Sequence, residues 1–323
     1  MVFSKILLAT HKVPKTIVTN DDLAQIMETS DDWIQSHIGI KERRMSLEGE
    51  NTSQLATDVA LELVEQTNTK PEEIDLIIVA TFTPDSLAPA TAAIIQKELK
   101  AKNAWAFDLN TACSGFMSAL STADKFIQSG QYKKVLVIAS DVNSKMLDFK
   151  DRTSSVFFGD GAAGVLLGAG DQPQVIDENL YTVDDQDLIY SGRVNTIDDL
   201  SVDNYPSIGA FHQHGRGVYQ QVVSTIPSYI ESFLAKNELT VDDIDYYVTH
   251  QANLRLIEKL AELIHQPIDK FSRNVEYYGN TSAAGMAIGL AQLMNSEVDL
   301  TGKKVLLVGF GAGFTYGCVL LQF

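Results

Sequence analysis

Three side chains in this sequence of 323 residues could together carry out nucleophilic chemistry. Cys113 lies where a helix is predicted to begin, and the free N–H groups and positive dipole end of a helix lower the pKa of a thiol. His250 follows the end of a predicted strand, where functional residues of open α/β sheets usually lie. Asn280 precedes a helix that begins with small residues. The ordinary alternatives are a buried core cysteine, a structural histidine and an N-cap asparagine.

A second candidate feature is the glycine-rich segment GFGAGF at residues 309–314, whose backbone N–H groups could stabilise an oxyanion. It lacks the strand-first context of a nucleotide-binding fingerprint. The sequence shows no metal-ligand spacing, P-loop, G-x-S-x-G motif or paired-cysteine motif. His212 and His214 are predicted to be loop residues, and Cys318 is predicted to be a core residue of an apolar strand.

The elements that would position these residues are repeated within the chain at a constant spacing of 170 residues. The matching segments are 71–79 with 241–249, 110–120 with 280–290, and 133–140 with 303–310. We therefore expect two duplicated halves, 1–170 with Cys113 and 171–323 with His250 and Asn280. A pseudo-twofold arrangement would bring equivalent loops together. The three residues are therefore expected to meet in one pocket.

Each half is predicted to alternate strands and helices, which indicates an α/β fold with helix-covered sheets. The predicted helices are 54–66, 114–128, 222–236 and 283–294, and the predicted strands are 74–81, 135–139, 244–249 and 305–308. Segments 114–128 and 283–294 are the least charged of these helices. We expect them to form a middle layer between two sheets, because a helix that is buried all round is apolar all round.

Two stretches break the repeat. Residues 11–53 include Thr19 and Asp22, whose spacing predicts a capping box at the start of a helix. Residues 171–204 hold nine acidic residues and one basic residue, Arg193. This charge pattern predicts a solvated surface excursion between the halves.

The composition excludes several classes of protein. With 45% hydrophobic residues, 21% charged residues and a mean hydropathy of −0.02, the chain is expected to be globular. Its net charge of −17 would repel a phosphate backbone, so nucleic-acid binding is not expected. Two cysteines are consistent with a reducing compartment, and no signal-peptide core or membrane-spanning run is visible. The sequence therefore predicts a cytoplasmic protein without membrane insertion.

Five sequence motifs closely resemble those of β-ketoacyl-acyl carrier protein synthase III, the initiating condensing enzyme of bacterial type II fatty-acid synthesis. They are DLNTACSGF, DRTSSVFFGDGAAG, HQANLRLI, YGNTSAAG and the terminal GFGAGFTYG. They occur in the family's order and spacing, and the resemblance covers the whole chain. It implies the thiolase-like fold, a five-layered αβαβα arrangement of two duplicated halves, and a homodimer.

The resemblance also implies a reaction. A short acyl-CoA primer, with acetyl-CoA the first expectation, would condense with malonyl-acyl carrier protein to give a 3-oxoacyl-acyl carrier protein. Cys113 would be the nucleophile, and His250 with Asn280 would support decarboxylation. The backbone N–H groups of Cys113 and Ala312 would form the oxyanion hole. No metal or redox cofactor is implied.

Two binding surfaces are implied as well. The residues expected to contact coenzyme A are Trp33, Arg152, Gly215 and Asn253. The residues expected to contact the carrier protein are Gln251, Ala252, Asn253, Leu254 and Arg255.

Some positions depart from the family pattern. His37 stands where the family usually has arginine, and Glu262 and Leu263 stand where relatives often carry lysines that meet the acidic carrier protein. These changes leave open a paralogous ketosynthase with a different acyl primer or carrier. A thioester hydrolase and a non-catalytic acyl-CoA-binding protein are also candidates. The order Cys–His–Asn also occurs in papain-like cysteine hydrolases, but their C-G-[SA]-C-[WY] signature is absent here and the duplicated α/β pattern does not fit them. The intact Cys–His–Asn set argues against a non-catalytic binding protein.

Overall fold

The fold is built on two β-sheets with helices packed against both faces of each sheet. The computed structural model describes residues 2–47, 49–185, 188–192 and 209–323. The strands in these ranges are β1 (Phe3–Lys12), β2 (Ile17–Thr19), β3 (Glu42–Arg44), β4 (Leu76–Ala80), β5 (Trp105–Leu109), β6 (Lys134–Asp141), β7 (Gly161–Gly170), β8 (Val175–Asp185), β9 (Ile189–Tyr190), β10 (His212–Gln213), β11 (Tyr246–Thr249), β12 (Lys304–Gly311) and β13 (Gly313–Gln322). The helices are α1 (Asn20–Ala24), α2 (Asp31–Ile38), α3 (Thr52–Gln66), α4 (Thr91–Leu99), α5 (Gly115–Gln128), α6 (Arg152–Ser155), α7 (Gly215–Lys236), α8 (Leu254–Leu263), α9 (Val275–Tyr278) and α10 (Ala283–Met294). The described 3-10 turns are Pro71–Glu73, Ala112–Ser114, Asn143–Met146, Val241–Asp243 and Ile268–Lys270.

The first sheet has the strand order β1–β7–β6–β4–β5. β4 runs parallel to β5 and β6, whereas β7 runs antiparallel to β1 and β6. All five residues of β4, LIIVA, are buried, because strands neighbour it on both sides and helices cover both of its faces. The carboxyl ends of these parallel strands meet at one edge. There β5 leads into the turn that holds Cys113.

The second sheet has the strand order β11–β12–β13–β8. β11 and β12 are parallel, and β13 returns antiparallel between β12 and β8. His250 follows β11 directly, and Ala312 lies between β12 and β13. Candidate residues of the second sheet therefore also stand at strand ends.

Three apolar clusters define five layers. The first joins α5 and α10 to the inner faces of both sheets, the second joins α7 and α8 to the outer face of the second sheet, and the third joins α3 and α4 to the outer face of the first. The order of layers is αβαβα, as expected. A sheet buried on both faces needs helices on both, and the two sheets share the middle pair.

The middle layer consists of the two helices that the sequence predicted. Every residue from Ala283 to Ala291 is buried, and α10 carries no charged side chain. The start of α5 is packed as tightly. A methyl group at Gly115 would lie 3.1 Å from the Cβ of Ala80 and 3.2 Å from that of Ala283. Glycine at this position therefore lets α5 approach both β4 and α10.

The acidic stretch 171–204 is not simply a solvated excursion, and this prediction was wrong for its first part. β8 pairs antiparallel with β13 as an edge strand of the second sheet. Two of its carboxylates form ion pairs with neighbouring helices, Asp177 with Lys236 at 2.7 Å and Glu178 with Lys125 at 2.9 Å. Residues 193–208, which include Arg193, lie outside the described residues.

The segment 11–53 contains the predicted helix start. The Thr19 hydroxyl accepts a hydrogen bond from the Asp22 N–H, and the Asp22 carboxylate accepts one from the Thr19 N–H. This reciprocal pair confirms the capping box at the start of α1.

Candidate active site

Cys113 lies in the middle of the 3-10 turn Ala112–Ser114, immediately before α5. The residue before it, Ala112, has a left-handed φ of 47°. The Asn110 side chain holds this turn, because its Oδ1 accepts the Ala112 N–H at 3.0 Å. Cys113 itself is 8% exposed. The thiol therefore sits at the start of a helix, as predicted, at the rim of the buried core.

The surroundings of Cys113 raise the pKa of its thiol, whereas a lowered pKa was expected. Burial raises the pKa of Cys113 to about 11, and the negative charge of Asp141 adds to the increase. A hydrogen bond from Ser282 and the backbone N–H of Cys113 itself favour the thiolate but do not overcome burial. The prediction of a thiolate activated by its position alone was therefore wrong, because a buried sulfur has lost the water that would stabilise its charge.

Asn280 lies at the start of the other middle helix. Its Oδ1 accepts the Ser282 N–H at 2.9 Å, and Ser282 has a left-handed φ of 54°. Its backbone is held as well, because its N–H donates to the carbonyl of Phe157 and its carbonyl accepts from Gly159. With Oδ1 engaged, the amide NH₂ is the part of the side chain that can donate to a ligand.

His250 is held at the end of β11. Its backbone N–H donates to the Val308 carbonyl at 2.8 Å, and its ring packs edge-on against Phe310 at 5.0 Å. Burial lowers the pKa of His250 to about 3, so the imidazole is neutral near pH 7. Nδ1 has no hydrogen-bond partner among the described residues. A neutral imidazole carries a single N–H and can act as a donor of one hydrogen bond.

The structure brings these three residues together through their neighbours. The Ser282 hydroxyl donates to the Cys113 sulfur at 3.6 Å, and the Ser282 N–H is held by Asn280. On the other side, a methyl group at Gly311 would lie 2.9 Å from the Cβ of Cys113, and Phe310 next to it contacts His250. The ends of β11 and β12 and the starts of α5 and α10 thus form one cluster.

Ala312 follows directly on this cluster. It is half-buried, and its carbonyl accepts a hydrogen bond from the Thr315 hydroxyl at 3.2 Å. It lies next to Gly311, which contacts Cys113. The N–H groups predicted to bind an oxyanion, those of Cys113 and Ala312, are therefore on neighbouring segments.

Two of the predicted coenzyme A contacts touch each other. The Arg152 guanidinium lies over the Trp33 ring at 5.3 Å, and its NH1 donates to the Glu28 carbonyl at 2.6 Å. His37 stacks on Trp33 with ring centroids 4.5 Å apart. The residue that departs from the family pattern at position 37 thus supports the same aromatic ring.

The other two predicted contacts occupy the starts of helices. Gly215 is exposed and begins α7, just after β10, whose Gln213 donates to the carbonyl of Thr153 in α6. Asn253 caps α8, with its Oδ1 accepting the Leu256 N–H at 2.9 Å.

The segment predicted to meet a carrier protein is only partly accessible. Gln251 is fully buried and donates to the carbonyls of Thr249 and Ser272, and Leu254 is also buried. Ala252 and Asn253 are half-buried, and only Arg255 is exposed.

The basic side chains of this face are engaged. The ion pairs are Lys41–Glu276, Arg255–Glu258 and Lys259–Glu262. Arg255 also donates to the carbonyls of Gln35 and Ser36 on α2. Opposite charges within the chain therefore offset these cations before any partner arrives.

Sequence reasoning missed two residues of the cluster, Ser282 and Asp141. Ser282 was part of the repeated segment, and its alignment with Ala112 at the constant spacing was a signal for a special backbone position. Asp141 ends a buried strand and is itself fully buried. A carboxylate at the end of an otherwise apolar strand could have marked it.

Within the described ranges, no group of three or more His, Cys, Asp or Glu side chains is arranged to hold a metal ion. No described helix is both long enough and apolar enough to span a membrane.

Comparison with known proteins identifies relatives over the whole chain. The family model of 3-oxoacyl-[acyl-carrier-protein] synthase III matches residues 107–183, and the model of its C-terminal part matches residues 234–323. A Lactiplantibacillus plantarum protein named beta-ketoacyl-[acyl-carrier-protein] synthase III 1 is 49% identical over 323 residues, which is 99% of both chains. A Lactococcus lactis subsp. cremoris protein named beta-ketoacyl-[acyl-carrier-protein] synthase III is 45% identical over 326 residues, which is 100% of both chains.

Solved structures agree with these matches. The 3-oxoacyl-[acyl-carrier-protein] synthase III of Aquifex aeolicus superposes with a TM-score of 0.90 at 36% identity, covering 99% of this chain and 100% of that one. A priming beta-ketosynthase from a polyketide biosynthetic pathway superposes with a TM-score of 0.89 at 32% identity, covering 99% of this chain and 96% of that one. The chain therefore has the thiolase-like fold and belongs to the 3-oxoacyl-[acyl-carrier-protein] synthase III family of acyltransferase-type condensing enzymes.

Proposed function

We propose that this chain condenses a short acyl-CoA, with acetyl-CoA the first choice, with malonyl-acyl carrier protein. The products are a 3-oxoacyl-acyl carrier protein, CO₂ and free coenzyme A, and the reaction initiates type II fatty-acid synthesis. The observation that carries the proposal is the cluster of a thiol, a neutral imidazole and an oriented amide at the strand ends. Full-length relatives bearing the synthase name support it.

In the first half-reaction, the Cys113 sulfur attacks the thioester carbonyl. A carbon–sulfur bond to Cys113 forms, the bond to the coenzyme A sulfur breaks, and the thiol proton leaves with coenzyme A as its free thiol. The N–H groups of Cys113 and Ala312 stabilise the tetrahedral oxyanion. Gly311 supports this assignment, because any side chain there would crowd the Cys113 backbone N–H.

In the second half-reaction, the malonyl thioester loses CO₂ and leaves an enolate. The enolate carbon then attacks the acyl carbonyl on Cys113, the carbon–sulfur bond to Cys113 breaks, and the expelled thiolate takes up a proton from solvent to regenerate the thiol. His250 and Asn280 stabilise the enolate oxygen as two neutral donors. The low pKa of His250 is consistent with this role, because the ring is neutral near pH 7 and carries one N–H to donate.

The remaining assignments are part of the same proposal. The adenine of coenzyme A binds between the Trp33 ring and the Arg152 guanidinium. Gly215 and Asn253 contact the rest of the coenzyme A molecule. Ala252, Asn253 and Arg255 form the accessible part of the carrier-protein surface. The reaction needs no metal or redox cofactor. A homodimer and a cytoplasmic location remain predictions.

The experiment that tests the proposal is intact-mass spectrometry of the protein incubated with a mixture of short acyl-CoAs and no malonyl partner. A gain of one acyl mass that is absent in Cys113→Ala supports the acyl-enzyme and identifies the primer. Release of coenzyme A without a mass gain would instead indicate a hydrolase. Neither release nor mass gain would indicate a binding protein.

A second candidate function is that of a ketosynthase that performs the same condensation in another pathway. The close superposition with a priming ketosynthase of polyketide synthesis favours it, as do the departures at His37 and Glu262. The acyl-enzyme would then form equally well. Transfer to the fatty-acid carrier protein, compared with other carriers, separates the two candidates.

A further inference from the structure

The two middle helices begin with the same backbone conformation. Ala112 and Ser282 stand 170 residues apart, in register with the internal repeat, and both have a left-handed φ. In each case the N–H is held by the Oδ1 of an asparagine two residues earlier, Asn110 or Asn280. The two helix starts are therefore equivalent in conformation as well as in sequence.

The strand end opposite each helix start differs. Asp141 and Gly311, also 170 residues apart, end β6 and β12. The Asp141 carboxylate accepts the N–H of Ala283, the first residue of α10, at 3.3 Å. At the equivalent place, a methyl group at Gly311 would lie 3.1 Å from the backbone N of Cys113. One helix start thus faces a built-in anion, and the other faces a glycine.

Asp141 is held firmly in this place. It is fully buried, and its Oδ1 accepts hydrogen bonds from the hydroxyls of Thr81 and Thr83 at 3.0 and 2.9 Å and from the N–H groups of Phe82 and Thr83. The Ser282 side chain is close enough to this carboxylate to lower the pKa of Asp141, and its hydroxyl donates to the Cys113 sulfur at 3.6 Å. A serine hydroxyl has one proton to donate, so while it donates to the sulfur it cannot donate to the carboxylate.

We propose that Asp141 is a positioning residue of the acyl-transfer site, which fixes the turn Ser282–Ala283 and, through the Ser282 hydroxyl, sets the hydrogen bonding of the Cys113 sulfur. The same turn carries the bond from Ser282 to Asn280, so Asp141 also orients the Asn280 amide. This inference rests on the proposed function for its catalytic consequence, but not for its effect on the thiol.

Asp141 and Ser282 change the pKa of Cys113 in opposite directions. The negative charge of Asp141 raises the pKa of Cys113, whereas the hydrogen bond from Ser282 lowers the pKa of Cys113. The other titratable groups nearby are His250, which burial keeps neutral, and Lys145, on which Asp141 also acts. Removing the charge and removing the hydroxyl must therefore shift the thiol titration in opposite directions.

The test is the pH profile of Cys113 alkylation by iodoacetamide, followed by intact mass, with Cys113→Ala as the blank for Cys318. We expect Asp141→Asn to shift the profile to lower pH by about one unit, and Ser282→Ala to shift it to higher pH. We also expect Asp141→Asn to reduce kcat for condensation about tenfold or more, with KM for acyl-CoA unchanged, because the Asn280 amide is loosened.

The matched control is Asp124→Asn, which alters another buried carboxylate, at the far end of α5, bound to Ser4 and Gln128. It is expected to lower stability without moving the alkylation profile. Unshifted profiles, or shifts in the same direction in Asp141→Asn and Ser282→Ala, would overturn the inference. If Asp141→Asn does not fold, an unshifted Ser282→Ala profile is sufficient to reject it. Alkylation needs no substrate, so failure of wild-type acylation rejects the proposed function separately.

Discussion

At the scale of single residues, burial acts on the two central groups in opposite directions and leaves both uncharged. It raises the pKa of Cys113 to about 11 and lowers the pKa of His250 to about 3. The resting site is therefore a neutral thiol beside a neutral imidazole. On these two side chains charge arises only during the proposed reaction, where the proposed N–H donors would stabilise it.

His250 makes stability depend on pH with a definite sign. Its pKa is lowered from 6.5 to about 3 on folding, so between these values the unfolded chain binds the extra proton. Acidification through this range therefore destabilises the fold, by about 1.4 kcal/mol per pH unit from this group. We expect His250→Gln to lose less stability than the wild type between pH 6 and 4 in urea unfolding. Parallel losses in both proteins would contradict the burial argument.

Asn280 separates the two half-reactions. We expect Asn280→Ala to form the acyl-enzyme at nearly the wild-type rate but to decarboxylate a malonyl thioester about 100-fold more slowly, because one of two oxyanion donors is lost. Intact mass measures the first and CO₂ release measures the second. Equal loss in both half-reactions would mean that Asn280 acts mainly by holding the Ser282 turn.

At the scale of elements, the site depends on how closely β12 approaches the start of α5. A methyl group at Gly311 would lie 2.9 Å from the Cβ of Cys113, too close for either segment to stay in place. We expect Gly311→Ala to reduce acylation at least tenfold while the chain still folds. Gly302→Ala is the matched control, because that glycine has a left-handed φ but no atom within 4 Å of an added methyl group. It should cost about 1 kcal/mol or more of stability and leave acylation unchanged.

The contact between α2 and α6 gives a second test at this scale. Arg152 lies over Trp33, so its loss removes one face of the proposed adenine site. We expect Arg152→Ala to raise KM for acyl-CoA about tenfold with little change in kcat. Arg273→Ala, on an exposed arginine elsewhere, serves as the control. A fall in kcat without a change in KM would place Arg152 outside the substrate site.

Periodicity and internal repetition predicted most of these elements, because buried strands and the apolar middle helices have patterns of their own. The helix predicted at 283–294 has those bounds in the structure, and the helix predicted at 222–236 begins earlier, at Gly215. β8 was missed because its acidic side chains are typical of a loop. In the structure the segment is a strand because its backbone pairs with β13 and because Lys236 forms an ion pair with one of its carboxylates.

The candidate site could be predicted less completely than the fold. The repeat indicated that Cys113, His250 and Asn280 would meet. It could not give the thiol pKa, because that depends on burial and on Asp141, which are properties of the assembled layers. Likewise, Gln251 can be buried because its amide donates to the carbonyls of Thr249 and Ser272, and the second of these lies 21 residues away in the sequence.

At the scale of the whole molecule, charge limits how an acidic partner can approach. The chain carries a net charge of −17, and Lys259 on the proposed carrier-protein face is paired with Glu262. We expect Glu262→Lys to lower KM for a malonyl-carrier protein several-fold at low salt and to lose this advantage at high salt. Glu231→Lys, at an exposed position of α7, gives the same change in net charge as a control. Equal effects of both variants would show that only the overall charge matters.

The paired left-handed residues Ala112 and Ser282 have a consequence for protein engineering. The main chain forms the same turn at the start of both middle helices. One turn is followed by Cys113 opposite Gly311, and the other is followed by Ala283 opposite Asp141. A mutant library at Ala283 and Asp141 would test whether the second turn can carry a reactive side chain, whereas Gly311 must stay free of one because it contacts Cys113. The two turns share a backbone conformation, and their different roles follow from their side chains.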